Sequence, residues 1–313
     1  MEWITQGLVA AAPLWPVAIA GAFIFRLVHF PDLGIEGSFV VGAGIATQCC
    51  IAGLPLPISL AISFCAGSLM GAITAGLFVW GRVNAILCGI VTGSAGYTIA
   101  WVVLGQQAFQ GVPDGYSLPP WSIVLSTLAA LIAVLSLLSS SFGLRLRFSA
   151  ERPELVNQFG LRAPLWVGAQ VIAGNAMVGV GGACVALNGG TATLNLGDGV
   201  LFKVLTFIVV GEAVMIAVFR ALQHQSYGVP RLSKFAWARL LDGFGSGVVV
   251  LACSMGLLLF HVLEQIVWDL FGANQWSRAL MGLLIGLGAV VGALWGRSSK
   301  GLPAWHFHGY SKW

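Results

Sequence analysis

Ionisable side chains are rare within the apolar runs of this 313-residue chain, and they are the first candidates for chemistry. Asp32 and Glu36 flank the glycines of the segment PDLGIEG. Glu212 lies inside an apolar run that ends at Arg220, eight residues later. Charged groups in a membrane are costly, so they mark solute or ion pathways and seek polar partners. We therefore expect Asp32, Glu36 and Glu212 to line a translocation pathway or to be paired.

The segment around Asp32 also has a purely structural interpretation. Pro31, Gly34 and Gly37 argue against a continuous helix at this point. A broken helix in a membrane is tolerated only where it is buried in protein or lines water. The alternative is a short interfacial loop, in which Glu36 lies near the N-terminus of the following helix and stabilises it. The sequence leaves both interpretations open.

Three further polar positions have two interpretations each. Glu212 is either a functional group or a hydrogen-bonding partner of another helix. Asn84 and Asn175 are amides in otherwise apolar runs. Such amides either bond to a neighbouring helix or line a pathway. Both residues are kept here as pathway candidates.

The composition identifies the elements that must hold these residues. Hydrophobic residues make up 58% of the chain and charged residues only 8%. An ordinary soluble domain carries about 25% charged residues. The mean hydropathy is +0.91. Strand alternation is absent, so helices must satisfy the backbone in lipid. The chain is predicted to be an all-α, polytopic bundle in a lipid bilayer, and its net charge of +4 lies in loops and does not indicate nucleic-acid binding.

A span needs about 20 apolar residues, and this rule predicts about nine transmembrane helices in one transmembrane domain over residues 1–313. The basic loops at 141–164 and 220–243 belong in the cytoplasm. Alternation then places the N-terminus outside and the C-terminus inside. The predicted spans are 7–25, 40–52, 58–80, 84–105, 121–139, 165–187, 200–219, 244–262 and 279–295.

Enzyme signatures are absent from the sequence. It has no G-x-x-x-x-G-K-[ST], no H-E-x-x-H and no G-x-S-x-G. The six cysteines form no C-x-x-C pair and lie in apolar runs, so we interpret them as buried small apolar residues. We expect no catalytic residue, metal site or cofactor, and any ATP hydrolysis must come from another subunit.

Four segments, taken in order, resemble bacterial ABC importer permeases of the branched-chain amino acid and ribose permease family. The nearest branch is that of the tryptophan/tyrosine or uncharacterised ABC permeases. The similarity covers most of the chain between residues 26 and 214. The segments are FPDLGIEGSFVVGA at 30–43, VNAILCGIVT at 83–92, FGLRLR…ELVNQFGL at 142–161, and GNAMVGVGGACVALNGG…GDG…VVGEAV at 174–214.

The resemblance implies a protein of the bacterial inner membrane that works as a dimer with a second permease copy. It also implies two cytoplasmic ABC ATPase subunits and an extracytoplasmic solute-binding protein as partners. Residues 142–161 would contain the coupling helix that docks on the ATPase, and a short helix is expected at about 153–159. The docking candidates are Arg147, Glu151, Arg152, Pro153, Glu154 and Gly160.

The function predicted from these observations is that of a permease subunit that forms a solute pathway at the dimer axis and works by alternating access. The alternative is an ion-coupled secondary transporter of a small organic solute, in which Asp32, Glu36 and Glu212 would bind the coupling ion. The lack of a visible internal repeat and the resemblance of the coupling loop argue against this alternative.

Overall fold

The computed structural model describes residues 2–113, 115–116, 153–158, 160, 162–225 and 245–271, and isolated positions within 143–149 and 279–287. These residues are mostly helical, with two short strands, β1 (Phe109–Gly111) and β2 (Thr191–Thr193). The α-helices are α1 (Glu2–Ala11), α2 (Trp15–Gly21), α3 (Ile35–Ile51), α4 (Leu56–Val79), α5 (Ala85–Val103), α6 (Pro153–Gln158), α7 (Ala163–Gly189), α8 (Val200–Gln225) and α9 (Gly245–Phe271).

The first span is assembled from short helical pieces. A 3-10 turn at Ala12–Leu14 separates α1 from α2, at the position where Pro13 removes a backbone donor. A π-helical turn follows at Ala22–Leu27, and the Val28 N–H donates to the Phe23 carbonyl at 3.0 Å. π-Turns of this kind are rare and often occur at functional positions.

Five helical stretches in the described part of the chain are long and apolar enough to cross a membrane. They coincide with the first, third, fourth, sixth and eighth predicted spans. The shorter α3 is also apolar. The fifth predicted span and most of the ninth lie outside the described residues, so the total of nine and the orientation of the termini stay predictions. The five stretches are Val9–Leu27, Leu56–Val79, Ala85–Val103, Ala163–Gly189 and Val249–Val267.

Several predicted boundaries are wrong. Helix α3 begins at Ile35, five residues earlier than expected, and it includes Gly37, which packs closely against Gly93 of α5. Helix α8 continues to Gln225, although the seventh span was expected to end at 219. Helix α9 continues to Phe271, although the eighth span was expected to end at 262. Apolar residues continue between the charged ones in this last part of α9, so the helical face extends beyond the predicted end.

Helix α7 packs along α3 and α4 through small residues. A Cβ atom at Gly179 would lie 2.7 Å from the Ser63 carbonyl oxygen of α4, and one at Gly182 would clash with the Phe39 carbonyl of α3. In lipid there is little hydrophobic force between helices, so such close backbone contact provides much of the association. These close glycine contacts with α3 and α4, here called the glycine seams of α7, fix the position of α7 in the bundle.

The outward faces of α4 and α5 are apolar and exposed. Leu69 is 67% exposed, and Leu87 and Val91 are each more than half exposed. Cys65 also lies on this exposed surface, contrary to the expectation that every cysteine would be buried. A soluble protein rarely exposes such a continuous apolar surface, whereas hydrocarbon tails would cover it.

A small antiparallel sheet joins two connectors that the sequence interpretation treated as loops. Phe109 of β1 lies opposite Thr193 of β2. The Gln48 amide of α3 donates to Gln110 Oε1 at 2.7 Å and fixes the sheet to the end of α3. From this sheet, the connector runs through a 3-10 turn at Leu194–Gly197 to the start of α8.

The contact between α7 and α3 can be tested with two glycine substitutions on one helix. Gly182→Ala is expected to lower the free energy of unfolding by about 1–3 kcal/mol, because the new methyl group meets the Phe39 carbonyl. Gly189→Ala is the matched control, since its Cβ meets no described atom within 4 Å. Unfolding in detergent measures both. Equal stability of the two variants would contradict the proposed seam.

Candidate functional site: polar contacts inside the helix bundle

The backbone break before α3 lies deep in the bundle. Helix α7 has 27 residues. At the usual helical rise it is about 40 Å long, and Asn175 lies about 18 Å from its start, near the middle. Asp32 is bonded to Asn175, so the residues between the π-turn and α3 lie near this depth. Irregular backbone in a membrane needs protein partners at such a position.

A buried hydrogen-bond network closes this break. Asp32 is 0% exposed. Its Oδ2 accepts from Asn175 Nδ2 at 2.6 Å, and its Oδ1 accepts from the Gly34 N–H at 2.7 Å. The Asn175 amide also donates to the Val171 carbonyl at 3.0 Å and accepts from Ser38 Oγ at 2.6 Å. The carboxylate, the amide and the hydroxyl thus satisfy one another, as buried polar groups require.

Helix α5 closes the network from another side. A Cβ atom at Gly34 would lie 2.7 Å from Thr92 Oγ1, so only glycine fits between the break and this helix. Thr74 of α4 donates to Thr92 Oγ1 at 2.9 Å. The break is therefore enclosed by α3, α4, α5 and α7, which together keep it from lipid.

A second polar contact lies at the start of α8. Glu36 Oε1 accepts from the backbone N–H groups of Gly199 at 3.2 Å and Leu201 at 3.4 Å. Tyr97 of α5 donates to Asp198 Oδ1 at 3.2 Å. Because Glu36 belongs to the first turn of α3, α8 begins beside the start of α3. A carboxylate at this position pairs with the unbonded N–H groups and the positive end of the helix dipole.

The third contact is an ion pair between the first span and α8. Arg26 of the π-turn donates to the Glu212 carboxylate. The two side chains are 16% and 18% exposed. The pair neutralises both charges where neither is well hydrated, and Glu212 is therefore paired, which was one of the expectations for it.

The structure separates Asn84 from the other candidates. Asn84 is exposed and precedes α5, where its Oδ1 accepts from the Ile86 N–H at 3.0 Å. This is an N-cap, which satisfies a backbone donor at the helix start. Asp32 and Asn175 are in direct contact. Glu36 bonds to the backbone at the start of α8, and Glu212, within α8, pairs with Arg26 of the first span. The roles of these residues in a pathway stay predictions.

The docking candidates are described only in part. The short helix expected at about 153–159 is present as α6, over Pro153–Gln158. Glu154 is exposed in its first turn, and Gly160 follows with a φ of +76°. Arg147, Glu151 and Arg152 lie outside the described residues. The docking role of all six stays a prediction.

Several partners in these contacts were not identified from the sequence. Arg26 was not among the site candidates, although a basic and an acidic residue in apolar surroundings are a usable signal for its pairing with Glu212. Ser38 carried no such signal, because serine hydroxyls in membrane helices commonly bond to their own backbone. Tyr97 carried none either, because tyrosine in a membrane protein is common near the bilayer interface.

The chemistry of these contacts is that of holding helices together. The groups are carboxylates, amides, a guanidinium and hydroxyls, and each is bonded to another element. In the part of the chain that the structure describes, no group of three or more His, Cys, Asp or Glu residues is arranged to hold a metal ion.

Comparison with known proteins gives a family and two relatives. A family model described as "Branched-chain amino acid transport system / permease component" matches residues 3–289. The chain is 25% identical to "Uncharacterized protein RP368" of Rickettsia prowazekii over 260 residues, which are 79% of this chain and 92% of the relative. It is 22% identical to the "Tyrosine transport system permease protein" of Clostridioides difficile over 221 residues, 66% of this chain and 71% of the relative. No solved structure matches the chain.

The Asp32–Asn175 contact can be tested by exchanging its two side chains. Asn175→Asp should lower the free energy of unfolding by about 1–3 kcal/mol or more, because two buried carboxylates then face each other without a donor between them. The double variant Asp32→Asn/Asn175→Asp restores one amide and one carboxylate and should recover part of the loss, because a carboxylate at 175 cannot donate to the Val171 carbonyl. Thermal unfolding in detergent measures this. A double variant less stable than Asn175→Asp alone would contradict the network.

The ion pair can be tested with a double-mutant cycle. Arg26→Gln alone leaves the Glu212 carboxylate without its cation and should cost about 3 kcal/mol of unfolding free energy. Arg26→Gln/Glu212→Gln removes both charges and should cost less than the single change. If the losses of the two single variants add up in the double variant, the two charges are not coupled.

Proposed function

The chain belongs to the family of branched-chain amino acid transport system permease components, and we propose that it is the transmembrane permease subunit of a bacterial ABC importer. The family match over residues 3–289 carries this proposal, because it extends over nearly all of the helical structure described. The apolar helices fit a multi-pass membrane protein. We place it in the inner membrane as one transmembrane domain, with a second permease copy as its partner.

The proposed coupling segment is residues 141–164, on the cytoplasmic side. The short α6 and its exposed Glu154 support this assignment, since a docking helix must project from the bundle. Cytoplasmic ATPase subunits bind here and hydrolyse ATP, so the permease itself is not an enzyme. A second cytoplasmic loop is assigned to residues 220–243.

The proposed mechanism is alternating access around two helix breaks. One break precedes α3 and is buried in the bundle, and the other precedes α8 and is held by Glu36 of α3. Helices interrupted at this depth can pivot with little change elsewhere. Asp32, Glu36, Asn175 and Glu212 hold the helices that surround the pathway, and Asn84 caps α5. The complete burial and full bonding of Asp32 support such a holding role over the binding of a coupling ion.

The proposed solute is an amino acid delivered by an extracytoplasmic solute-binding protein. This rests on the family description and on the tyrosine transport permease among the relatives. No chemistry is performed on the solute.

Co-purification from the native host tests the importer proposal. A tagged chain is expected to bring with it an ATPase that carries a P-loop, and Glu154→Lys should weaken this association because it reverses an exposed charge on α6. Asp269→Lys is the matched control, since Asp269 is an exposed acidic residue near the end of α9. Purification without any ATPase, together with solute uptake by liposomes under an ion gradient, would refute the importer and support the ion-coupled alternative.

A further inference from the structure

The short helix α6 is fastened to α7 by one side chain. Asn157 Oδ1 accepts from the N–H of Ala163, the first residue of α7, at 3.1 Å. The Gly160 N–H donates to the Asn157 carbonyl at 3.0 Å. Gly160 adopts a φ of +76°, a conformation that favours glycine. The first N–H groups of a helix have no partner within it, so Asn157 both caps α7 and closes the turn that joins the two helices.

A second fastening lies on the other side of α6 in the sequence. Gln170 of α7 is 2% exposed. Its Nε2 lies 2.9 Å from Ser149 Oγ and 3.2 Å from the Leu146 carbonyl oxygen. Ser149 Oγ in turn donates to the Leu146 carbonyl at 2.6 Å, and both residues are buried. The chain that leads into α6 is therefore bonded to the same helix as the chain that leaves it.

The two fastenings give α7 a mechanical role. We propose that Asn157 and Gln170 are positioning residues that clamp the segment around α6 to α7, so that a movement imposed on α6 passes to α7 as one body. This inference rests on the proposed function, because it takes the docked ATPase as the source of the movement. Without the clamp, Gly160 would act as a hinge and α6 would move while α7 stayed.

The position of the clamp on α7 shows where the movement goes. Asn175 lies five residues beyond Gln170, or about 7.5 Å along the helix. It holds the break at Asp32. Gly182 lies a further seven residues on, where α7 touches the backbone of α3. A shift of α7 therefore first affects the break at Asp32, because the hydrogen bonds there join α3 to α7.

Spin-label distances in the complete transporter test the clamp. The exposed Leu165, near the start of α7, is replaced by a labelled cysteine in a cysteine-free background. The distance between the two copies is measured with the co-purified ATPase, with and without ATP and vanadate. We expect a nucleotide-dependent shift in the parent protein and the loss of most of it in Asn157→Ala and in Gln170→Met.

Matched variants separate the clamp from a general loss of structure. Asn157→Asp should keep the shift, because a carboxylate also accepts from the Ala163 N–H and suits a helix N-terminus. Gln48→Met should keep it as well, since it removes a similar glutamine hydrogen bond at the sheet end of α3. Ser149→Ala removes one acceptor of Gln170 without altering α7, so a reduced shift is expected even if Gln170→Met does not fold.

The possible outcomes distinguish the clamp from the function on which it rests. If no ATPase binds the parent protein, the proposed importer function fails. If the ATPase binds but α7 does not move, or if folded Asn157→Ala and Ser149→Ala variants retain the full shift, the clamp is overturned. Retained ATPase binding, an unchanged melting temperature and a lost shift that Asn157→Asp restores would establish it.

Discussion

The structure depends on one constraint, which is that an interrupted helix inside a bilayer must find its hydrogen-bond partners in protein. The interruption before α3 meets this constraint through Asp32, which bonds to the backbone of Gly34 and to the amide of Asn175. In a medium of low dielectric, a satisfied network of this kind is strong and directional, and an incomplete one is costly. Helix α7, which supplies Asn175, must therefore pass through the centre of the bundle.

The remaining interior contacts follow from the same constraint. The first N–H groups of α8 have no partner within the helix, and Glu36 of α3 accepts from two backbone N–H groups there. Arg26 and Glu212 neutralise each other between the first span and α8. Polar bonds thus determine which elements meet, while the glycine seams of α7 allow α3 and α4 to approach closely enough. In the proposed mechanism, the pivots of this bundle lie before α3 and before α8.

These contacts give a physical basis for the movements expected of a member of a permease family. Among proteins that rock between two states, the parts that move must be rigid and the joints between them few. In the proposed mechanism, the clamp formed by Asn157 and Gln170 would make the segment around α6 and α7 one rigid part. The break at Asp32 would then be the joint nearest to that part.

The sequence by itself determined the class of the protein and much of its layout. Length and hydropathy located five of the spans, because roughly twenty apolar residues are needed whatever the neighbours are. The family resemblance of residues 142–161, with Pro153 suited to a first turn, predicted a short helix at about 153–159, and the break around Asp32 was visible from Pro31 and Gly34. Hydropathy and the positions of proline and glycine are local properties, so each can be recognised within one segment of the sequence.

Only the tertiary structure decided which polar residues are partners. Asp32 meets Asn175 across 143 positions, Glu36 meets Gly199 across 163, and Arg26 meets Glu212 across 186. No local pattern encodes such pairs, because they depend on how the helices are arranged. The close contact of Gly37 with Gly93 of α5 is likewise visible only in the tertiary structure. Local sequence properties therefore determined where the segments lie along the chain. Packing in lipid, which offers the backbone no hydrogen bonds, determined which segments became partners.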